Sequence, residues 1–157
     1  MGARRRGPRR VLRSLTRGVR RDTSVLYAAT DRSDHHHTRC RDWILATDEP
    51  LLLPGTVLAE TCYLIDRGFG PAAEAAFLDD VGAGPRYPYQ LIDLVDTDLR
   101  RMAQLYASTQ ARRLGGTDAS IIAVCERLGI DTVATLNRRD FDNVRPQHRA
   151  ALVIVPE

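Results

Sequence analysis

The sequence predicts an α/β protein in which a parallel sheet of about five strands is covered by helices on both faces. Three observations lead there. Short apolar runs of strand character alternate with longer segments whose apolar residues recur at helical spacing. Proline and glycine punctuate the joins, at Pro54-Gly55, Pro71, Gly115-Gly116 and Gly129. No repeat is present, and 157 residues with 43% hydrophobic content suit one soluble domain with its own core.

Residues 1–18 read as an arginine-rich tail and residues 19–157 as a single domain. Residues 1–21 hold nine arginines and no acid, whereas residues 22–157 carry 14 arginines against all 20 acids, a net of −6. Repulsion at that charge density disfavours packing, so the tail is expected to be a disordered extension, or a start codon placed upstream of Val11 or Val19. An RNA-binding arm is the alternative.

The first strand starts at Val19, and Val25-Leu26-Tyr27 either continues it or opens a helix. Ser33-Asp34 is expected to cap a helix to about Thr47, with Trp43 and Ile44 on its apolar side. Leu51-Leu52-Leu53 reads as a short buried strand closed by Pro54-Gly55. Thr56 is expected to cap a helix whose apolar side holds Val57, Tyr63 and Leu64, and Pro71 opens another that ends near Gly82. A strand follows from Tyr89 to Leu94, then a helix from Thr97 to about Arg113 with Leu99, Met102, Ala103 and Tyr106 on one face. Thr117 caps a helix from Asp118 to Leu128, stopped by Gly129, before strands at Thr132–Thr135 and Leu152–Val155.

Four acids stand at the ends of these elements: Asp22, Glu60, Asp118 and Asp140. In open α/β sheets the functional crevice lies beyond the carboxyl ends of the strands. Carboxylates gathered there repel one another unless a cation neutralises them, which points to a Mg²⁺ or Mn²⁺ site and metal-assisted phosphodiester hydrolysis. Each acid also has a plain reading. Asp22 suits a turn, Asp118 a helix start, and Asp140 solvent, whereas Glu60 falls within an apolar helical stretch, where a buried carboxylate would need a partner.

Other features carry less. Cys40, Cys62 and Cys125 are odd in number, far apart and free of any CxxC pair, which argues against a disulfide framework or zinc knuckle, and Cys62 and Cys125, in helical apolar patterns, are expected to be buried thiols in a reducing cytoplasm. No apolar run approaches the roughly 18 residues of a membrane span, and the N-terminus lacks the apolar stretch of a secretory signal. His35-His36-His37 cannot all face one ion, because consecutive helical residues point about 100° apart. Asp98 reads as a helix-start acid, and Arg100, Arg101, Arg112 and Arg113 as a solvated face.

The segments Asp22-Thr23-Ser24-Val25-Leu26, Asp34-His35-His36-His37, Leu53-Pro54-Gly55-Thr56-Val57-Leu58-Ala59-Glu60, Asp118-Ala119-Ser120-Ile121-Ile122-Ala123 and Val133-Ala134-Thr135-Leu136-Asn137-Arg138-Arg139-Asp140-Phe141 occur in this order across nearly the whole body. Together they resemble the PIN-domain ribonucleases, and within them the VapC-type toxins of toxin–antitoxin pairs. The resemblance implies a doubly wound PIN-like sheet, dependence on Mg²⁺ or Mn²⁺, and endonucleolytic cutting of RNA by metal-activated water. It maps Asp22, Glu60 and Asp118 onto the first three family acids and Ser24 onto the hydroxyl that supports the first. At the fourth corner many relatives carry an acid where this chain has Asn137; others keep one three residues on, where Asp140 stands, so Asp140 is expected to complete the site with Asn137 assisting. A further departure is Val19-Arg20-Arg21, where relatives have an apolar run before the first aspartate. The resemblance also implies a cognate antitoxin that covers the cleft, and homodimerisation. The alternative reading is a non-catalytic PIN-like module that binds RNA or protein without turnover. A phosphorylated receiver domain would need a late lysine, and the chain has no lysine.

Overall fold

The computed structural model describes residues 19–83, 89–108, 114–142 and 144–156, with the backbone alone for residues 19–21. The arginine-rich tail, Arg112, Arg113 and the side chains of Arg20 and Arg21 lie outside the described residues. Among those described, five strands form one parallel sheet: β1 (Val19–Arg21), β2 (Leu51–Pro54), β3 (Tyr89–Ile92), β4 (Thr132–Ala134) and β5 (Val153–Val155). Their order is β3-β2-β1-β4-β5. The chain winds outward from β1 through β2 to β3, then returns to place β4 on the other side of β1, with Arg20 in register with both Leu52 and Val133. The strand order therefore reverses between β1 and β4, where a crevice must open.

Seven helices cover the described sheet: α1 (Thr23–Thr30), α2 (His37–Ala46), α3 (Gly55–Phe69), α4 (Pro71–Gly82), α5 (Asp96–Ala107), α6 (Gly116–Leu128) and α7 (Arg138–Asp142). Alternation along β4 shows why both faces need cover. Val133 joins the large core formed with α3, α4 and α6, and Ala134 joins a smaller one with Val25 and Ala28 of α1 and Cys40 of α2. Residues 119–125 of α6 are all buried, so this helix is the central one rather than an amphipathic cover. Gly129 ends it with φ 67°, a left-handed conformation that a Cβ would strain, and the Ile130 amide reaches back to the Cys125 carbonyl. Among the described residues no helix is long and apolar enough to cross a membrane. All three cysteines are free and buried.

Several element boundaries differ from the sequence expectation, and each has a cause. Val25-Leu26-Tyr27 belongs to a helix, because β1 ends at Arg21 and α1 begins at Thr23. The helix expected from Ser33-Asp34 begins at His37, since Asp31 and Asp34 spend their carboxylates on the amides of Ser33 and His36 in tight turns. Thr56 and Thr117 do not cap: α3 follows Pro54 and α6 follows Gly115, and the Thr56 hydroxyl instead meets Ser120 Oγ at 2.6 Å. Tyr63 is exposed, and the buried side of α3 is Val57, Thr61, Cys62 and Ile65.

The face expected for α5 is likewise displaced. Leu99 and Tyr106 are exposed, while Asp98 and Leu105 are buried. Polar tethers to α6 cause this. Arg127 Nε donates to both Asp98 carboxylate oxygens at 2.9 and 3.0 Å, and Arg101 grips Glu126 at 2.6 and 2.9 Å. Asp98 is thus a helix-start acid, also accepting the Val95 amide, but Arg101 is an ion-pair partner and not part of a solvated face.

Candidate metal centre at the strand switch point

The cleft is built where β1 and β4 end side by side. The Asp22 amide donates to the Ala134 carbonyl at 2.8 Å, continuing the ladder one residue past β1. Asp22 then occupies the residue before α1, a position where aspartate ordinarily caps the helix, yet it makes no side-chain cap. Its Oδ2 instead accepts the hydroxyls of Ser24 at 2.8 Å and Thr135 at 2.7 Å, while Oδ1 has no such partner among the described bonds. The Ser24 hydroxyl in turn accepts the Leu136 amide, and Thr135 accepts the Asn137 amide. One carboxylate oxygen is therefore fixed by a hydroxyl pair that is itself fixed by backbone.

The other acids repeat the pattern. Glu60 Oε2 accepts the Thr23 hydroxyl at 2.7 Å. Asp118, in the first turn of α6, is drawn back toward the Gly115 backbone N–H. Asp140 Oδ2, on α7, accepts the Asn137 side-chain amide. Glu60 lies on the exposed flank of α3 rather than within its apolar face, so its carboxylate is not buried as the sequence suggested. It sits at the margin of the buried side, beside Val57 but turned away from Ile65, where its carboxylate reaches solvent.

Electrostatics tie the four together at Asp118. Burial, and then the Asp22 carboxylate, push its carboxyl from the ordinary 3.8 up to about 7, with Asp140 and Glu60 adding to the rise and the Gly115 N–H opposing it. Among the described residues, no three acidic, histidine or cysteine side chains converge closely enough to enclose an ion. Three of the four carboxylates, those of Asp22, Glu60 and Asp140, are each held through one oxygen by a neighbouring donor. The donors of the crevice are oxygen only and its charge is in excess, which fits a hard divalent cation that keeps several waters and rejects a thiolate or imidazole cage. Two of the histidines are engaged elsewhere: His37 Nδ1 is 3.1 Å from the Ala28 carbonyl and His36 Nδ1 is 3.0 Å from Arg39. A second crevice, of about 620 Å³, lies between α5 and α6, but Asp98 and Glu126 on its wall are already matched by Arg127 and Arg101.

Thr135 and Thr23 carry no charge and draw no attention as ligands in the sequence. Both sit one or two residues from motif positions, and the signal for them is chemical: an acid presented at a strand end needs a donor to hold it. Thr135 is fully buried and uses both capacities of its hydroxyl. Thr135→Val is therefore expected to strand two polar groups and cost about 2–4 kcal/mol in urea unfolding, with Thr135→Ser recovering most of it. Equal unfolding midpoints for Val and wild type would contradict this arrangement.

Comparison with known proteins agrees with this architecture. The model of the PIN domain family matches residues 21–145, and the chain belongs to that family. Ribonuclease VapC26 of Mycobacterium tuberculosis is 27% identical over 135 residues, covering 86% of this chain and 98% of that protein. Among solved structures, M. tuberculosis VapC20, a sarcin–ricin-loop-cleaving toxin, superposes with a TM-score of 0.67 at 19% identity, over 74% of this chain and 87% of that one. DNA-bound VapBC from Salmonella typhimurium gives 0.62 at 18% identity, over 88% and 96%.

Proposed function

We propose that this protein is a Mg²⁺- or Mn²⁺-dependent endoribonuclease, the toxin of a toxin–antitoxin pair. Asp22, Glu60, Asp118 and Asp140 hold the cation directly or through water, and Ser24 supports Asp22. The observation that carries the reading is the common construction of the acids: Asp22, Glu60 and Asp140 each surrender one oxygen to a neighbouring donor and keep the other for the crevice. When bound, the cation supplies positive charge beside a phosphodiester and the means to ionise water near neutral pH. The protein orients the rest. Ser24 and Thr135 stop Asp22 from rotating, Thr23 aims Glu60, and Asn137 holds Asp140. Attack by water needs no covalent enzyme intermediate, and the Ser24 and Thr23 hydroxyls are engaged as donors to Asp22 and Glu60. The relative named a ribonuclease supports RNA as the substrate. A cognate antitoxin that covers the crevice, a homodimer and a cytoplasmic site of action complete the proposal.

The test is cleavage of a structured RNA by purified protein in EDTA and after addition of Mn²⁺ or Mg²⁺. Cutting is expected only with the cation, and induced expression should arrest growth unless Asp118 is replaced by asparagine. RNA binding without cutting in Mn²⁺ would instead identify a non-catalytic PIN-like module. Growth of wild type equal to that of the asparagine variant would count against the toxin.

A further inference from the structure

Hydrogen bonds joined through Asn137 itself link Asp22 to Asp140: Asp22 Oδ2 accepts from Thr135 Oγ1, Thr135 Oγ1 accepts from the Asn137 backbone N–H, and the Asn137 side-chain Nδ2 donates to Asp140 Oδ2. We infer that Asn137 is a positioning residue, a clip that fixes the Asp140 carboxylate relative to Asp22, and that it must be an amide rather than an acid to do so. This rests on the metal-centre reading above. The amide orientation follows from its partner, because a carboxylate only accepts and Nδ2 is the one donor on the side chain. Asp140 lies on α7, five residues long, joined to β4 by Thr135, Leu136 and Asn137 alone. So short a helix supplies little rigidity of its own. The anchoring comes from Phe141, which is 2% exposed in the large core on one side of Asp140, and from Asn137 on the other. The backbone of Asn137 is held by Thr135, which is fully buried, so the clip transmits the position of β4 to the carboxylate.

An acid at position 137 would reverse the sign of the contact. Two carboxylates would meet where an amide now donates, beside a crevice already carrying excess negative charge. Adding a fourth-corner acid is thus expected to weaken the site, against the simple expectation that more ligand charge binds a cation more tightly.

Mn²⁺ binding, followed by electron paramagnetic resonance of the free ion, reads this out apart from cleavage. Asn137→Ala and Asn137→Asp are each expected to weaken Mn²⁺ binding about tenfold, the size of effect usual for a residue that orients a ligand. The exchange Asn137→Asp with Asp140→Asn keeps one amide and one carboxylate in contact, and is expected to return to within about threefold of wild type. In the cation-free protein, the Asn137 side-chain amide protons should shift in the nitrogen–proton spectrum when Asp140 is changed to alanine. Tighter Mn²⁺ binding by Asn137→Asp, wild-type binding by Asn137→Ala, or an unmoved amide resonance would each overturn the clip while leaving the metal centre standing. Wild-type protein that binds no Mn²⁺ would overturn both.

Discussion

Asp118→Asn is expected to abolish RNA cleavage, by a hundredfold or more, and at the same time to make the cation-free protein more stable. Both effects come from one group. Asp118 is partly buried at the start of α6, and burial together with Asp22, Asp140 and Glu60 raises its carboxyl to about 7. Between the ordinary 3.8 and that value the folded chain holds a proton that the unfolded chain releases. The proton-bound form is therefore fully stabilised at low pH, and this contribution is lost as pH rises through about 7. At pH 8 the folded state must carry an unfavourable charge. Because the carboxyl still reaches water, the penalty is well below the nominal shift, about 1–2 kcal/mol. Asparagine removes it, and a rise in melting temperature of about 3–6 °C at pH 8 in EDTA is expected, shrinking toward zero near pH 4. A melting temperature at pH 8 that is unchanged or lower than wild type would show that the acids do not press on one another. The activity loss follows from taking a charged oxygen ligand from the cation.

Arg127→Ala is expected to destabilise the fold by about 3 kcal/mol. Asp98 is 1% exposed and takes both oxygens' bonds from Arg127 Nε, while Arg127 Nη2 also donates to the Asp93 carbonyl at 3.1 Å. Removing the guanidinium leaves a buried carboxylate with only the Val95 amide. The Arg127 side chain retains 29% exposure, which places the cost at the lower end for broken buried pairs. Arg127→Lys keeps the charge but not the fork and should recover less than half. Adding Asp98→Asn to Arg127→Ala should restore about 1–2 kcal/mol in urea unfolding, since the stranded charge disappears. No recovery in the double variant would mean that the loss comes from packing and not from the unpaired charge. This pair lies at the far end of α6 from Asp118, so Mn²⁺ binding by the folded fraction should be unaffected.

The order of elements was legible because its signals are local. Pro54-Gly55, Pro71, Gly115-Gly116 and Gly129 mark joins through backbone restrictions that act within a residue or two. Strand positions 51–53 and 132–134 were legible from apolar runs. The errors cluster where a side chain found a distant partner. Thr56 reads as a cap but reaches Ser120, 64 residues away. Leu99 reads as core on α5, yet Asp98 is the buried residue because its partner Arg127 lies on another helix. Periodicity counts apolar residues and cannot register a paired charge turned inward.

The same division separates the parts of the crevice. The sequence by itself determined which residues carry negative charge and that Asp22 and Asp118 stand at element ends, because charge and chain punctuation are written residue by residue. It also placed the chain in a family through five motifs in order. Only the tertiary structure decided which donor holds each carboxylate: Thr135 for Asp22 across 113 residues, Thr23 for Glu60 across 37. It alone moved Glu60 from a helix interior to its exposed flank, and set Asn137 beside Asp140 as donor to acceptor. Thr135 reaches Asp22 because strands β1 and β4 meet, and that meeting is made by the parallel crossover of the sheet, which no local pattern encodes.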